Sequence, residues 1–229
     1  MRTWNSFNDW AVRSELHSRT WVARLVRYLV ETGLADRETT VLDYGCGAFD
    51  LAGGLASHVK RIDGFEPHPA SVTHSAARAS SLANANIYSD LSSIPRHSYD
   101  LVVVNSVIQY MESAAELPAF FDRCGDLLSR NGKRSLLVAD IIPVGYSPNR
   151  DALAALGVAL RHGFFIEMLR HLAKSALNGN GTRLARYDRT TFAALATAHG
   201  FRPHFLPENL TPSRSRYTCL LTQIPVNSK

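Results

Sequence analysis

Cysteine is scarce in this 229-residue chain, and the three that occur, Cys46, Cys124 and Cys219, lie far apart. They form neither a disulfide framework nor a CxxC pair of the kind that binds zinc, which favours a reducing compartment. No hydrophobic run approaches the roughly 20 apolar residues that a membrane-spanning helix needs. The opening stretch, MRTWNSFNDWAVRSELHSRTW, lacks the apolar core of a secretion signal. We therefore expect a cytoplasmic protein without disulfides or membrane spans.

Charge of one sign is not concentrated anywhere in the chain. The net charge is +5 and the pI is about 9.3. Local basic groups occur at Arg183, Arg186 and Arg189 and again at Arg214 and Arg216. Because these groups are short and separated, we interpret them as solvated surface and expect no nucleic-acid partner.

Short apolar strands alternate with helical patterns over the first part of the chain. Helices are predicted at 9–33, 50–58, 69–82 and 115–129. Strands are predicted at TTVLDYG (39–45), RIDGFEP (61–67), ANIYSD (85–90), the start of YDLVVVNSVIQYM (99–111) and RSLLVADII (134–142). This alternation predicts an α/β, doubly wound, mostly parallel sheet. Ligands of such sheets bind outside the carboxyl ends of the strands.

The pattern changes after the fifth strand. Residues 147–181 are largely helical in pattern, with an apolar face and a charged face. We predict that they form a lid over the ligand site, whose apolar face favours a partly apolar acceptor. An alternative is weak contact of this amphipathic segment with a membrane surface, to reach a lipid-like acceptor. A helix at 188–199 and two strands, FRPHFLPE and RYTCLLTQI, complete the chain.

The stretch VLDYGCGAFD (41–50) places two glycines directly after the first strand. Gly45 and Gly47 let the backbone adopt positive φ and approach a ligand closely. A dinucleotide site has glycine or alanine at the sixth position of GxGxxG, whereas this chain has Asp50, whose carboxylate repels a pyrophosphate. Glu66 follows about 20 residues later at the end of the second strand, where an acidic side chain binds ribose hydroxyls. Asp90 ends the third strand, where a carboxylate can accept from an adenine amino group.

These motifs resemble those of the class I S-adenosylmethionine-dependent methyltransferases. VLDYGCG resembles the first motif of the family, GFEP the acidic second motif, SDL the adenine-contact motif and YDLVVVNSVIQYM the fourth-strand motif. The likeness covers about residues 38–142 and 187–224. It implies a seven-stranded sheet with an antiparallel last strand and a helical lid inserted after the fifth strand. Phe49 departs from the family, which has a third glycine there, so its ring must point away from the cofactor or line its methionine end.

The resemblance implies S-adenosylmethionine as cofactor and S-adenosylhomocysteine as its product. The residues expected to bind the cofactor are Asp43, Tyr44, Gly45, Cys46, Gly47, Glu66, Pro67, Asp90, Leu91 and Asn105. The candidate catalytic residues are Asp140 and Tyr110. The chain is interpreted as one methyltransferase domain, 1–229, made of an N-terminal helical segment (1–37), a cofactor-binding core (38–142), the lid (147–181) and a C-terminal helix and strand hairpin (187–224).

Missing motifs narrow the expected chemistry. NSVI follows the fourth strand in place of the [DN]PP[YFW] motif typical of nitrogen-methylating relatives, no cysteine follows a proline, and no CxxxCxxC cluster occurs. Asp140 is followed by Ile141, without the Asp–Asn pair of the magnesium-dependent type, so no metal is expected. We expect methyl transfer to a small-molecule acceptor, foremost a hydroxyl of a natural-product, glycan or lipid-like precursor. An RNA methyltransferase, a non-catalytic cofactor-binding relative and a dinucleotide oxidoreductase are the alternatives, and the oligomeric state stays open.

Overall fold

A computed structural model of the chain describes residues 21–224, with gaps. The gaps are 112, 131, 147–152, 154, 155, 158, 162, 164, 167, 168, 171–183 and 212. The predicted N-terminal helical segment before residue 21 and most of the predicted lid therefore lie outside the described residues. Their assignment stays a prediction.

The strands form one seven-stranded sheet. They are β1 (Thr40–Tyr44), β2 (Arg61–Phe65), β3 (Ala85–Tyr88), β4 (Leu101–Asn105), β5 (Ser135–Ile141), β6 (Phe201–Phe205) and β7 (Tyr217–Gln223), in the order β3-β2-β1-β4-β5-β7-β6. The first five strands pair in parallel, and β7 is antiparallel to both β5 and β6. The predicted doubly wound sheet with an antiparallel last strand is thus confirmed.

Five helices with defined bounds surround this sheet in the described part of the chain. They are α1 (Ala23–Glu31), α2 (Asp50–Leu55), α3 (Pro69–Ser80), α4 (Leu117–Leu127) and α5 (Arg189–Ala198). The central strands β1, β4 and β5 are nearly continuous apolar runs because the sheet is covered on both faces there. One core cluster includes Leu25 and Leu55, and the other includes Phe121 and Phe192, all of them fully buried.

Two polar residues at the carboxyl edge of the sheet adopt left-handed backbone conformations. Ser106, directly after β4, has φ of 57°, and Asp140, near the end of β5, has φ of 66°. The pairing of β5 with β7 shifts register between Val138 and Ile141, which encloses Asp140 in an irregularity. Such departures from regular strand geometry re-aim a side chain, and they cluster near functional sites.

Only scattered positions of the predicted lid are described. Residues 153, 156, 157, 159–161, 165, 166, 169 and 170 are helical, which agrees with the helical pattern of the sequence. Leu153, Leu160 and Ile166 are exposed there, whereas Ala159 is buried. Within the described residues, no helix has the length and apolar character needed to cross a membrane.

Candidate cofactor and acceptor site

The turn between β1 and α2 is held in an unusual backbone conformation. Gly45, Gly47 and Phe49 all have positive φ, at 78°, 55° and 61°. A Cβ atom at Gly45 would lie 2.5 Å from Cγ2 of Val107, so glycine is required here both for φ and for the close approach of the β4 end. The turn lies where the strand order reverses between β1 and β4, which is where open α/β sheets bind their ligands.

The Phe49 ring points away from this turn and into the core. Phe49 is fully buried in the cluster that contains Leu51 and Ile62. A Cβ atom at Gly64 of β2 would lie 2.9 Å from Cε2 of Phe49, so the ring packs directly on that strand. Of the two orientations expected for this side chain, the structure therefore shows the one that leaves the glycine turn open to a ligand.

Glu66, directly after β2, is hydrogen-bonded to the same turn. Its Oε2 accepts from the Gly47 N–H at 2.9 Å, and its Oε1 accepts from the His68 N–H at 2.8 Å. Burial raises the pKa of the Glu66 carboxyl, and the two N–H donors oppose that rise. Each carboxylate oxygen has two acceptor positions, so one on each oxygen stays available for a hydroxyl of a ligand.

Three carboxyl groups surround the turn. Burial, and then the nearby Asp50 and Glu66, raise the pKa of Asp43 to about 8. Burial also raises the pKa of Asp50, which the Arg78 guanidinium opposes at 2.9 Å. This concentration of acidic groups favours a cationic ligand and disfavours an anionic one such as a pyrophosphate.

The other expected cofactor residues after β1 and β2 are partly buried. Tyr44 packs its ring on Phe65 at a centroid distance of 5.0 Å, and burial raises its pKa to about 12. Burial, followed by Asp43 and Glu66, raises the pKa of the Cys46 thiol well above its usual value. Pro67 lies between Glu66 and His68, and the His68 backbone N–H donates to the Glu66 carboxylate across it.

Asp90 lies at the same edge of the sheet, after β3, and is exposed. Its carboxylate accepts from the Ser92 N–H at 3.0 Å and from the Ser92 hydroxyl at 2.6 Å, which lowers its pKa. The side chain thus caps the short 3-10 helix Leu91–Ser93. Leu91 packs against the core cluster below.

The end of β4 contains a buried acceptor without a partner. Asn105 Oδ1 is inaccessible to solvent and accepts no hydrogen bond within the described part of the structure. Gln109 Oε1, one turn further on, is also buried and accepts no hydrogen bond from the described residues. Since unsatisfied buried acceptors are costly, a ligand with a polar hydrogen at the β4 end would be stabilised there.

Asp140 is enclosed by donors. Its Oδ2 accepts from Arg216 at 2.7 Å and from the Ser106 hydroxyl at 2.7 Å, and its Oδ1 accepts from the Thr211 hydroxyl at 2.6 Å. Three of about four acceptor positions are therefore in use, which makes Asp140 better suited to positioning than to removing a proton. Tyr110, the second catalytic candidate, is partly buried in the 3-10 helix Ile108–Tyr110 after β4.

Sequence reasoning missed the partners of Asp140. Arg216 is 76 positions away and was interpreted as surface, yet only 15% of its side chain is exposed. Arg216 also lies over the ring of Tyr146 at 5.3 Å, and Arg186 lies over that ring at 5.8 Å. The two separated arginine groups of the sequence were the available signal, but only the fold shows that they converge.

No cluster of three or more His, Cys, Asp or Glu side chains suited to a metal occurs among the residues described. The oxygen atoms at the turn instead suit an organic cation. Carboxylates at Asp43 and Glu66, together with the orphaned Asn105 oxygen, offer acceptors for an ammonium group and for ribose hydroxyls. These residues fit the cofactor that the sequence resemblance implied.

Comparison with known proteins agrees with this geometry. The family described as "Methyltransferase domain" matches residues 41–132, the stretch from β1 to the turn before β5. Magnesium protoporphyrin IX methyltransferase from Synechocystis, solved with bound S-adenosylhomocysteine, is similar in fold, with a TM-score of 0.56, 20% identity, and coverage of 88% of this chain and 80% of that chain. The N-methyltransferase NodS from Bradyrhizobium japonicum, also with S-adenosylhomocysteine, gives a TM-score of 0.57 at 16% identity, over 89% of this chain and 85% of that chain.

A curated relative is the nonribosomal peptide synthetase TES of Alternaria alternata, 29% identical over 161 residues. The match spans 66% of this chain but only 3% of the synthetase. Residues 41–132 thus match the methyltransferase-domain family model, and the sheet has the fold of the structural neighbours. The resemblance to class I S-adenosylmethionine-dependent methyltransferases drawn from the sequence is confirmed.

Proposed function

We propose that this protein transfers a methyl group from S-adenosylmethionine to a small-molecule acceptor. The observation that carries the proposal is the glycine turn with its three surrounding carboxyl groups, Asp43, Asp50 and Glu66. S-adenosylmethionine has a sulfonium and an ammonium group and no phosphate, so it suits this turn where a dinucleotide does not. When bound, it supplies a methyl group that is already activated for transfer.

The protein's own residues bind and orient the cofactor, and they exclude water from the site. The Glu66 carboxylate is positioned by the Gly47 and His68 N–H groups to accept from the ribose hydroxyls. The Asn105 oxygen and Asp43 are the groups that would accept from the cationic part of the cofactor. Because the methyl group is activated, alignment with the acceptor supplies much of the rate. Asp140 and Tyr110 stay predictions as catalytic residues, with Asp140 supported as a positioning residue.

The acceptor atom is proposed to be a hydroxyl oxygen. The support is the sequence NSVI after β4, where nitrogen-methylating relatives often have [DN]PP[YFW]. A nitrogen acceptor is the second candidate, supported by the likeness to the N-methyltransferase NodS. Acceptor screening with radiolabelled S-adenosylmethionine, followed by mass spectrometry of the product, distinguishes an O-methyl from an N-methyl product.

Calorimetric titration with S-adenosylhomocysteine tests the cofactor assignment, with NAD as the control ligand. We expect binding of the first and none of the second. Glu66→Ala removes the ribose acceptors and the support of Gly47, so its affinity for S-adenosylhomocysteine should fall by about 10- to 100-fold, as for loss of one or two hydrogen bonds to a charged group. Unchanged affinity in this variant, or binding of NAD by the wild type, would contradict the assignment.

The exposed acid Asp126 offers a matched control. Its side chain is 54% exposed and pairs only loosely with Arg96, at 3.7 Å. Asp126→Ala removes one carboxylate, as Glu66→Ala does, but far from the glycine turn in sequence and on α4. It should bind S-adenosylhomocysteine as the wild type does, and an equal loss in both variants would point to a general charge effect.

A further inference from the structure

Two arginines from distant parts of the sequence converge on one tyrosine. Arg186 lies before α5 and Arg216 directly before β7, and their guanidinium carbons lie 5.8 and 5.3 Å from the centroid of the Tyr146 ring. Arg216 also donates to the Tyr146 hydroxyl at 3.3 Å. We call Arg186, Arg216, Tyr146 and Asp140 the arginine–tyrosine cluster. A cation–π contact with a ring does not occupy the N–H donors of a guanidinium, which stay available for hydrogen bonds.

The cluster has an excess of positive charge. Arg216 is neutralised by Asp140, whose remaining hydrogen bonds go to Ser106 and Thr211. Arg186 is exposed and forms no ion pair with any residue that the structure describes. Its neighbour Asp188 forms no ion pair with it in the described part of the structure, and that carboxylate instead accepts from the Thr191 N–H at 2.9 Å and caps α5.

A further neighbouring cation, on α5, faces elsewhere. Arg189 lies over the rings of Tyr217 and Phe205, at 5.0 and 5.4 Å. Its charge is therefore directed at the β6–β7 hairpin and not at Tyr146. Among the described residues, the guanidinium of Arg186 is thus left without an ion pair beside the Tyr146 ring.

The cluster is continuous with the proposed cofactor turn. Asp140 accepts from Ser106, and the next residue, Val107, contacts Gly45 of the turn. The cofactor turn uses the β1 and β2 ends, so the carboxyl edge beyond β4 is left for the second substrate. Asp140 and Arg216 lie at that part of the edge, at the end of β5 and the start of the antiparallel β7.

We propose that the acceptor carries a carboxylate and that Arg186, which lies over the ring of Tyr146, binds it. The inference rests on the proposed methyl transfer and names the class of its second substrate. The net charge of the cluster is one, which matches a monoanion better than a phosphate dianion. The guanidinium fork matches a carboxylate with two parallel hydrogen bonds. Val144, exposed two positions before Tyr146, offers an apolar contact for the rest of the acceptor.

The test measures binding of simple probes to the full chain by ligand-observed NMR. The probes are benzoate and hexanoate, their neutral amides benzamide and hexanamide, and inorganic phosphate. The proteins are the wild type, Arg186→Gln and the control Arg214→Gln. Arg214 is an exposed arginine just before β7, and it contacts neither Tyr146 nor Asp140. Each titration is run with and without saturating S-adenosylhomocysteine.

We expect the wild type and Arg214→Gln to bind the carboxylates at least about 10-fold more tightly than the amides, as for a charge-assisted hydrogen bond. Arg186→Gln should lose this preference and keep its weak affinity for the amides. Equal binding of benzoate and benzamide by the wild type, no binding of either carboxylate, or an equal loss in Arg214→Gln would overturn the proposal. Tighter binding of phosphate than of the carboxylates would also overturn it, in favour of a phosphate-bearing acceptor.

The same experiment separates this proposal from the proposed function. If the wild type binds S-adenosylhomocysteine but shows no preference for carboxylates, only the acceptor class is wrong. If it shows the carboxylate preference lost in Arg186→Gln but does not bind S-adenosylhomocysteine, the anion site stands and the proposed methyl transfer fails.

Discussion

At the scale of single residues, Asp43 combines burial with proximity to like charges. Only 6% of the residue is exposed, and Asp50 and Glu66 add repulsion to the desolvation of its carboxyl group. Its pKa of about 8 contrasts with an ordinary value of 3.8. In its ionised form, a buried carboxylate of this kind lowers the stability of the folded protein. A bound ligand with a positive charge offsets this loss, so the carboxylate favours binding of such a ligand.

The stability of the ligand-free protein should therefore depend on Asp43 and pH. Between pH 4 and 8 the folded state retains a proton that the unfolded state has lost, so the free energy of unfolding falls as pH rises. Asp43→Asn removes this dependence. The variant should gain stability relative to the wild type from pH 5 to pH 8, by at most about 1.4 kcal/mol per pH unit, measured by urea unfolding.

The exposed Asp126 again provides the control, since it is half exposed on α4. Asp126→Asn should unfold with the pH dependence of the wild type. A difference between Asp43→Asn and the wild type that is constant from pH 5 to pH 8 would contradict the raised pKa of Asp43.

At the scale of elements, Phe49 joins the start of α2 to β2. It precedes Asp50, the first residue of α2, and its ring packs on Gly64. The left-handed conformation costs a non-glycine residue about 1–2 kcal/mol. Complete burial of the ring more than offsets this, because truncation of a buried Phe to Ala typically costs about 3–5 kcal/mol.

Restoring glycine at position 49 should therefore destabilise the protein. Phe49→Gly relieves the backbone but removes the ring, for an expected net loss of about 1–4 kcal/mol. Phe49→Ala removes the ring and keeps the strain, so it should be less stable still. Chemical unfolding of the three proteins gives the order, and a Phe49→Gly variant as stable as the wild type would show that the ring contributes little.

The strands were predictable from the sequence, whereas the contacts between their ends were not. Runs such as LVVVN in β4 are apolar because both faces of the sheet are covered, and this signal is local. The bridge from Glu66 to Gly47 and the ion pair of Asp140 with Arg216 join residues 19 and 76 positions apart. No local pattern encodes such pairs, because they arise from strand order and from the antiparallel direction of β7.

Among the site residues too, some were predictable from the sequence and others appear only in the structure. Gly45 and Gly47 stand out in sequence because positive φ requires glycine, but Ser106 and Asp140 adopt positive φ without that signal. The predicted segment 61–67 continues beyond β2, which ends at Phe65, because Glu66 and Pro67 turn away to form the site. The sequence thus indicated the proposed cofactor turn, whereas the contacts of Asp140 and Arg216 appear only in the structure.

At the scale of the whole molecule, charge is divided along the carboxyl edge of the sheet. Acidic groups lie at the ends of β1 and β2, and the excess arginine lies near the start of β7. The proposed cationic cofactor and anionic acceptor match these two parts. A weakly basic total charge of +5 conceals this division, which is why composition gave no indication of the ligands.

The two parts should act independently in binding. From β2 to β7 there are four strand spacings in the order β2-β1-β4-β5-β7, which amount to about 19 Å at about 4.8 Å each. This exceeds the Debye length of about 8 Å at physiological salt. Glu66→Ala should therefore weaken the binding of S-adenosylhomocysteine without changing the affinity for benzoate. Arg186→Gln should weaken the binding of benzoate without changing the affinity for S-adenosylhomocysteine. In the double variant, the two losses of binding free energy should add within about 0.5 kcal/mol. A change of S-adenosylhomocysteine affinity in Arg186→Gln would instead place that arginine at the cofactor, and would merge the two parts of the edge into one site.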